Sequence, residues 1–142
     1  MSTALSPVQV GTQLALFLAN RPGALGEVCE VIAKADVNIH AMTTSDTVDH
    51  VVIRVIVDKP RAALRALEAH GTLVVESEVI LLEGSNRTGS LCDIARVLSA
   101  AKVNIEYAYC ATPPSSKRGL LVLRPSHVGK ALKALNGMAL KG

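Results

Sequence analysis

The chain has 142 residues, of which 49% are apolar and 19% charged, and its formal net charge is +3 at pH 7. This composition excludes disorder over most of the chain, because a disordered chain has few apolar residues and a high net charge. The longest apolar run, Leu14 to Ala19, is too short to form a transmembrane helix. The three cysteines form no disulfide pattern and the first residues lack the features of a secretory signal, so we expect a cytoplasmic protein.

The first half of the chain is predicted to fold in the order strand, helix, strand, strand, helix, strand. Apolar runs and alternating residues predict strands at residues 13–18, 38–44, 51–57 and 72–75. Apolar residues at steps of three and four predict a first helix whose apolar face includes Leu25, Val28 and Ile32. A second helix is predicted at residues 61–70.

The second half of the chain is predicted to repeat this order. Its strands are expected at residues 79–82, 104–112 and 120–123, with a shorter last strand at 137–141. Its first helix carries Leu91, Ile94 and Leu98 on the apolar face, and its second helix is expected at residues 128–135.

The two halves are copies of one unit. Residues 20–39 and 86–105 are identical at nine of twenty positions without a gap, where chance would give about one. A βαββαβ unit closes as an antiparallel sheet with both helices on one face, the ferredoxin-like arrangement. We therefore expect an α+β protein of two ferredoxin-like repeats, residues 1–76 and 77–142, with residues 1–12 as an extended lead-in. A unit of this size is marginal alone, so we expect the two repeats to pack as one body.

The loop between the first strand and the first helix is the candidate site in each half. The first amide groups of a helix lack intrahelical partners and carry a partial positive charge, which suits a carboxylate or a phosphate. Gly23 and Gly89 lie at this turn, where the lack of a side chain lets a ligand approach the backbone. The alternative stays open that each glycine only makes the turn and that Asn20 and Asn86 only start it.

These loops resemble a known family. The motif Asn-x-Pro-Gly-x-Leu after the first strand, with Asn-Ile at the start of the second, resembles the ACT domain, a small βαββαβ module that binds amino acids and regulates amino-acid metabolism. The resemblance covers residues 13–75 and 79–135 and is to stand-alone tandem ACT proteins, which have no catalytic domain. Effectors in that family sit where paired modules meet, against this loop and the start of the second strand. The ligand-binding residues that the resemblance implies here are Asn20, Arg21, Pro22, Gly23, Ala24, Leu25, Asn38, Ile39, Asn86, Arg87, Thr88, Gly89, Ser90, Leu91, Asn104 and Ile105.

Other kinds of site are not indicated. The segment from Gly84 to Ser90 resembles a phosphate-binding loop but lacks its lysine. The histidines and cysteines have no metal-ligand spacing, and no nucleophile stands in a recognisable context with a base. The predicted third strands carry no aromatic residues on which RNA bases could stack. The sequence therefore implies no cofactor, no metal, no nucleic acid and no membrane as partner.

We expect a protein that is not an enzyme. The resemblance implies a regulatory or sensor module that binds a free amino acid, responds allosterically, forms a homodimer and acts in trans on an amino-acid metabolic enzyme. Two alternatives stay open. One is a small enzyme, or a regulatory subunit of an amino-acid biosynthetic enzyme, whose site forms only on oligomerisation; the other is a purely structural interaction module.

Overall fold

The computed structural model describes residues 8–85 and 88–141 of the chain. The strands are β1 (Val8–Ala19), β2 (Ile39–Asp46), β3 (His50–Val57), β4 (Leu73–Ser85), β5 (Ile105–Ala111) and β6 (Arg118–Pro125). The helices are α1 (Ala24–Lys34), α2 (Pro60–Ala69), α3 (Ser90–Ala100) and α4 (Val128–Lys141). Within the described residues, no helix is both long enough and apolar enough to cross a lipid bilayer.

The chain divides into two compact units. The first unit is Thr12–Ser77, and the second joins Glu78–Gly142 to the start of the chain up to Gly11. Each of the two long strands, β1 and β4, therefore contributes residues to both units. Residues 8–11, expected to belong to a lead-in of the first repeat, are strand residues of the second unit.

The first unit has the ferredoxin-like arrangement that the sequence predicts. Its strand order is β2-β3-β1-β4, and β3 pairs antiparallel with both β1 and β2. Alternate strand residues and residues four apart on the helices bury one common core. The strands contribute Leu14, Leu16, Ile53, Val55 and Val57, and the helices contribute Val28, Ile32, Ala63 and Leu67.

The second unit has an equivalent core. Its strand order is β1-β4-β6-β5, and β6 pairs antiparallel with β4 and β5. The buried residues of this core are Ile80, Leu82, Ile94, Leu98, Val103, Leu123, Ala131 and Leu135. Val8, at the start of β1, packs against them. The fold class predicted from the sequence, two ferredoxin-like repeats, is thus confirmed.

The prediction of a last strand at residues 137–141 is wrong. Helix α4 continues to Lys141, because Ala131, Leu135 and Met138 lie at steps of four and three and keep one helical face on the core. Gly137 does not stop the helix. The strand position that residues 137–141 were expected to fill is taken by residues 8–11, where Gly11 lies so close to β4 that a Cβ would come 2.5 Å from Leu81 Cδ1.

The strands predicted at residues 72–75 and 79–82 are not separate: from Leu73 onward both belong to the single strand β4. Glu76, Ser77 and Glu78 lie inside the continuous strand β4. The three residues include no glycine or proline to interrupt a strand. Ser77 is also tied into the first unit, because its Oγ accepts a hydrogen bond of 3.3 Å from Nε2 of Gln13, a side chain that is only 1% exposed.

Three helices end in the same way. After α1, the Val37 N–H donates to the Ile32 carbonyl and the Asp36 N–H to the Ala33 carbonyl. These two bonds define the Schellman motif, in which the residue just after the helix cap is left-handed. The same pair of bonds follows α2 and α3. The left-handed residue is Gly71 after α2, but Asp36 and Lys102, with φ of 59° and 60°, after the other two.

Lys102 provides a stability test of this motif. A non-glycine residue is strained in the left-handed region, whereas glycine is not. We expect Lys102→Gly to raise the free energy of unfolding by about 0.5 kcal/mol, since the relief of strain exceeds the entropy that glycine adds to the unfolded chain. Gly71→Ala should lower it by about 1 kcal/mol. Urea unfolding measures both, and a destabilised Lys102→Gly variant would contradict the assignment.

Val8 tests whether the start of the chain belongs to the second unit. Val8→Asp places a charge against an apolar core and should lower the free energy of unfolding by about 1–2 kcal/mol. Gln9→Asp is the matched control, because Gln9 is exposed on the same strand, and it should change stability by less than about 0.5 kcal/mol. Equal urea midpoints for the two variants would mean that residues 8–11 do not complete this core.

Candidate functional site

Asn20 ties the end of β1 to the turn between β2 and β3. Its Nδ2 donates to the carbonyl oxygens of Thr47 and Val48, at 3.2 and 3.4 Å, and its backbone N–H donates to the carbonyl of Asp49 at 3.0 Å. The amide group thus holds the loop in place. The role that the structure shows for Asn20 is structural.

Gly23 and Gly89 are the N-cap residues of α1 and α3, and both have a φ of 86°. Only glycine adopts this region without strain. A Cβ at Gly23 would meet nothing closer than Nη1 of Arg21, at 4.0 Å, so packing does not require glycine there. The backbone conformation accounts for both glycines, and their presence in both repeats does not by itself indicate a ligand.

The first turns of α1 and α3 have no side-chain cap. At the start of α1, the Ala24 N–H donates to the Arg21 carbonyl at 3.3 Å, and the Glu27 N–H donates to the Gly23 carbonyl at 3.0 Å. The N–H groups of Leu25 and Gly26, which lie between these two residues, are not bonded to any side-chain acceptor. These two N–H groups at the positive end of the helix can therefore donate hydrogen bonds to the oxygens of an anionic group.

Arg21 and Glu27 form an ion pair across the start of α1. The distance from Arg21 Nη2 to Glu27 Oε2 is 2.6 Å, and Arg21 Nη1 also donates to the Pro22 carbonyl at 3.3 Å. The two side chains are 55% and 46% exposed, so both charges remain accessible to a ligand. Glu27 is not among the site residues that the resemblance implied. The only feature of the sequence that could have pointed to it is that it is an acidic residue in the first turn of a predicted helix.

A groove of about 280 Å³ opens beside this ion pair. It is bounded by the end of β1, the first turns of α1 and the turn between α2 and β4. The residues that line it are Phe17, Leu18, Ala19, Arg21, Ala24, Glu27, Val28, His70, Gly71, Thr72 and Leu73. Of the implied site residues, Arg21 and Ala24 line the groove. The sequence alone could not assign His70–Leu73 to this groove, because these residues are distant from α1 in the sequence and lie beside it only in the folded chain.

Asn38 and Asn104 occupy equivalent turns at the start of β2 and β5. The Asn38 N–H donates to Oδ1 of Asp58 at 2.9 Å, and the Asp58 N–H donates back to the Asn38 carbonyl at 3.1 Å. Asn104 makes the same reciprocal pair with Ser126, at 3.0 and 2.8 Å. The backbone groups of both asparagines are therefore engaged within the chain, which leaves their side chains as the groups available to a ligand.

Ile39 and Ile105 follow these asparagines and pack, half-buried, against the two cores. The strand register shifts directly after each of them, between Ile39 and Ala41 and between Ile105 and Tyr107. A bulge of this kind bends an edge strand and redirects the neighbouring side chains. Both repeats thus keep the same irregularity at the same place.

The first turns of α1 and α3 expose apolar side chains. Leu25 is 41% exposed and Leu91 53% exposed, although the sequence placed both on the buried helical face. That expectation is wrong because the buried faces begin one turn later, at Val28 and Ile94. The two leucines extend an apolar surface from each candidate loop.

The loop of the second repeat is described only in part. Asn86 and Arg87 lie outside the described residues. Thr88 is exposed and Ser90 half-buried. Among residues 8–85 and 88–141, no three histidine, cysteine or acidic side chains come together as a possible metal site.

Residues 9–138 match the family model of the ACT domain pair, so the chain belongs to the ACT domain pair family. Protein BT0572 from Bacteroides thetaiotaomicron is similar in structure, with a TM-score of 0.85, 33% identity, and coverage of 93% of this chain and 90% of that chain. The ligand-free regulatory subunit of aspartate kinase from Thermus thermophilus has a TM-score of 0.66 at 18% identity over 95% and 99% of the two chains. Escherichia coli aspartokinase III has a TM-score of 0.60 at 19% identity over 97% and 34%. The last two show the fold alone. No curated protein matches the chain.

Gly23 can be tested against a glycine of the same helix. Gly23→Ala forces a side chain into the left-handed region and should lower the free energy of unfolding by about 1–2 kcal/mol. Gly26→Ala is the control, because Gly26 lies inside α1 with no atom within 4 Å of its Cβ position, and alanine there should stabilise the protein by up to about 1 kcal/mol. Urea unfolding of the ligand-free protein measures both. A neutral Gly23→Ala variant would remove the backbone explanation for this glycine.

Proposed function

We propose that this protein is a non-catalytic, cytoplasmic regulatory module that binds a free amino acid. Membership of the ACT domain pair family supports a regulatory, ligand-binding role. The observation that carries the choice of site is the groove of about 280 Å³ at the strand-one–helix-one loop of the first unit. A free amino acid has about ten non-hydrogen atoms and is smaller than the ligands that fill pockets of 300–1,000 Å³.

The proposed ligand contacts follow from the chemistry of the loops. The α-carboxylate is held at the first-turn amides that lack a side-chain acceptor, at Leu25 and Gly26 in the first repeat or at the equivalent Leu91 and Cys92 in the second, where helix charge favours an anion. The exposed Leu25 or Leu91 supplies apolar contacts close to the same amides.

Regulation by such a module acts in trans. We propose that the protein has two states and that a partner enzyme of amino-acid metabolism recognises one of them. The ligand favours one state because it binds that state more tightly than the other. The regulatory subunit of an aspartate kinase shares the fold, which supports this class of partner. A homodimer is the assembly that we propose, since ACT modules hold effectors where modules pair.

A thermal-shift screen tests the ligand. A ligand present at about 100 times its dissociation constant adds about 2.7 kcal/mol to the stability of the folded state. For a chain of this size, the melting temperature should rise by roughly 5–15 °C. The twenty free L-amino acids are screened one by one, with sodium acetate and ammonium chloride as controls for the isolated charges. The proposal fails if no amino acid raises the midpoint above these controls.

A further inference from the structure

We propose that a groove between the two helices of the second unit binds an amphipathic helix of a partner protein, one whose contact face combines acidic and apolar residues. The groove uses none of the residues of the candidate amino-acid loops, so the partner site stands whether or not an amino acid binds there. The evidence is the lining of the groove, the charge beside it and a difference from the first repeat.

The groove has a volume of about 690 Å³ and lies between α3 and α4. Its lining residues are spaced by one, three and four positions along each helix, so each helix presents a single face to the groove. They are Val97, Ala100 and Ala101 of α3 and Lys130, Lys133, Ala134, Gly137 and Met138 of α4. Apart from the two lysines, all of these residues are apolar.

The shape of the groove suits a helix. Ala100 and Gly137 are exposed, whereas Val97 and Met138 are half-buried and also pack against the core of the unit. The groove is therefore open to solvent along its length, and it does not enclose a small molecule, which needs most of its surface buried. A partner helix needs only a groove in which to lay its apolar face. The lining of α4, from Lys130 to Met138, is about 12 Å long, which matches about two turns of a helix.

Lys130 and Lys133 give the groove a positive charge. Both side chains are exposed, and no carboxylate of the described residues forms an ion pair with either of them. A contact face that carries glutamate or aspartate beside its apolar residues complements this lining in charge. A second copy of this chain, docked symmetrically through the same face, would place lysines opposite lysines. The charge therefore favours an acidic partner over self-association.

The helices of the first repeat differ in charge. Lys34 stands at the position equivalent to Ala100, and its ammonium group pairs with Glu30 at 3.0 Å. Ala62 stands at the position of Lys130. Helices α1 and α2 together carry three acidic and three basic residues, whereas α3 and α4 carry one acidic and four basic residues. The combination of an apolar floor and excess positive charge thus belongs to the helices of the second repeat.

A display library of helical peptides, selected on the full chain, tests the proposal. The peptides are about 16 residues long, so that an isolated helix can form, and are randomised on one face. We expect the selected sequences to combine glutamate or aspartate with leucine, isoleucine or methionine on that face. Fluorescence anisotropy then measures the affinity of the best peptide. The affinity should fall as the salt concentration rises, because salt screens exposed charges.

Variants of the two helices locate the peptide. Ala100→Glu should weaken binding about tenfold or more, because it places a charge of the peptide's own sign on the apolar floor. Ser99→Glu is the matched control, since Ser99 is the exposed neighbour of Ala100 and does not line the groove. The control should keep the affinity within about threefold. Thermal melts verify that both variants remain folded.

Substitution of the lysines tests the role of charge. Lys130→Gln and Lys133→Gln should each weaken binding about two- to fivefold, the range for the loss of one exposed ion pair. Arg65→Gln is the matched control, because Arg65 stands at the position of Lys133 in the first repeat. It should change the affinity by less than about twofold.

Several outcomes would overturn the proposal. They are the recovery of no binding peptide, the selection of basic or uncharged peptides, and full affinity of the best peptide for Ala100→Glu. Sedimentation of the chain alone tests a second copy: a dimer that Ala100→Glu dissociates would assign the groove to self-association. Phosphatidylglycerol vesicles test a lipid surface in the same way. Vesicles that bind the wild-type chain but not Ala100→Glu, in the absence of peptide binding, would assign the groove to a membrane.

Discussion

The left-handed turn at Gly23 is the constraint on which the candidate site depends. A strand that leaves the sheet must reverse direction within a few residues for its helix to pack on the same sheet, and the positive φ of Gly23 makes this reversal. The reversal places Arg21 before the helix and Glu27 within its first turn, at ion-pair distance. Gly89 makes the same turn before α3. The geometry of the loops thus follows from a backbone requirement, independently of any ligand.

Residues around this turn serve the fold and the site in different ways. Asn20 uses its side-chain amide to bind two carbonyl groups of the β2–β3 turn. These contacts keep the loop in one conformation before a ligand arrives, which reduces the entropy that binding must overcome. The groups left for recognition are the uncapped amides of α1 and the exposed charges of Arg21 and Glu27.

Much of the fold could be predicted from the sequence because its signals are local and occur twice. The spacing of apolar residues predicts that Val28 and Ile32 of α1 are buried, and the same spacing in the second repeat predicts the same for Ile94 and Leu98. All four residues are buried. The last strand could not be predicted. Residues 8–11 occupy its position from the other end of the chain, and no local pattern reports such a long-range pairing.

The candidate loops could be predicted for a similar reason: a glycine between a strand and a helix is a local signal. The enclosed part of the site could not, because the groove depends on His70 and Leu73, which are distant in sequence from Arg21. Burial at the helix starts was also mispredicted. A periodic pattern indicates which face of a helix is apolar but not which residues of that face become buried, and Leu25 stays 41% exposed.

The use of residues 8–11 in the second unit has a consequence for assembly. Residues 8–11 are connected along the chain to the rest of the second unit only through the first unit. The same residues of another molecule carry the same hydrogen-bonding groups and could pair with β4 in their place. When the first strand detaches, β4 becomes an open edge, and open edges pair with strands of other chains. Exchange of such a segment between two molecules is called domain swapping, and it builds an assembly from the contacts that complete a single molecule.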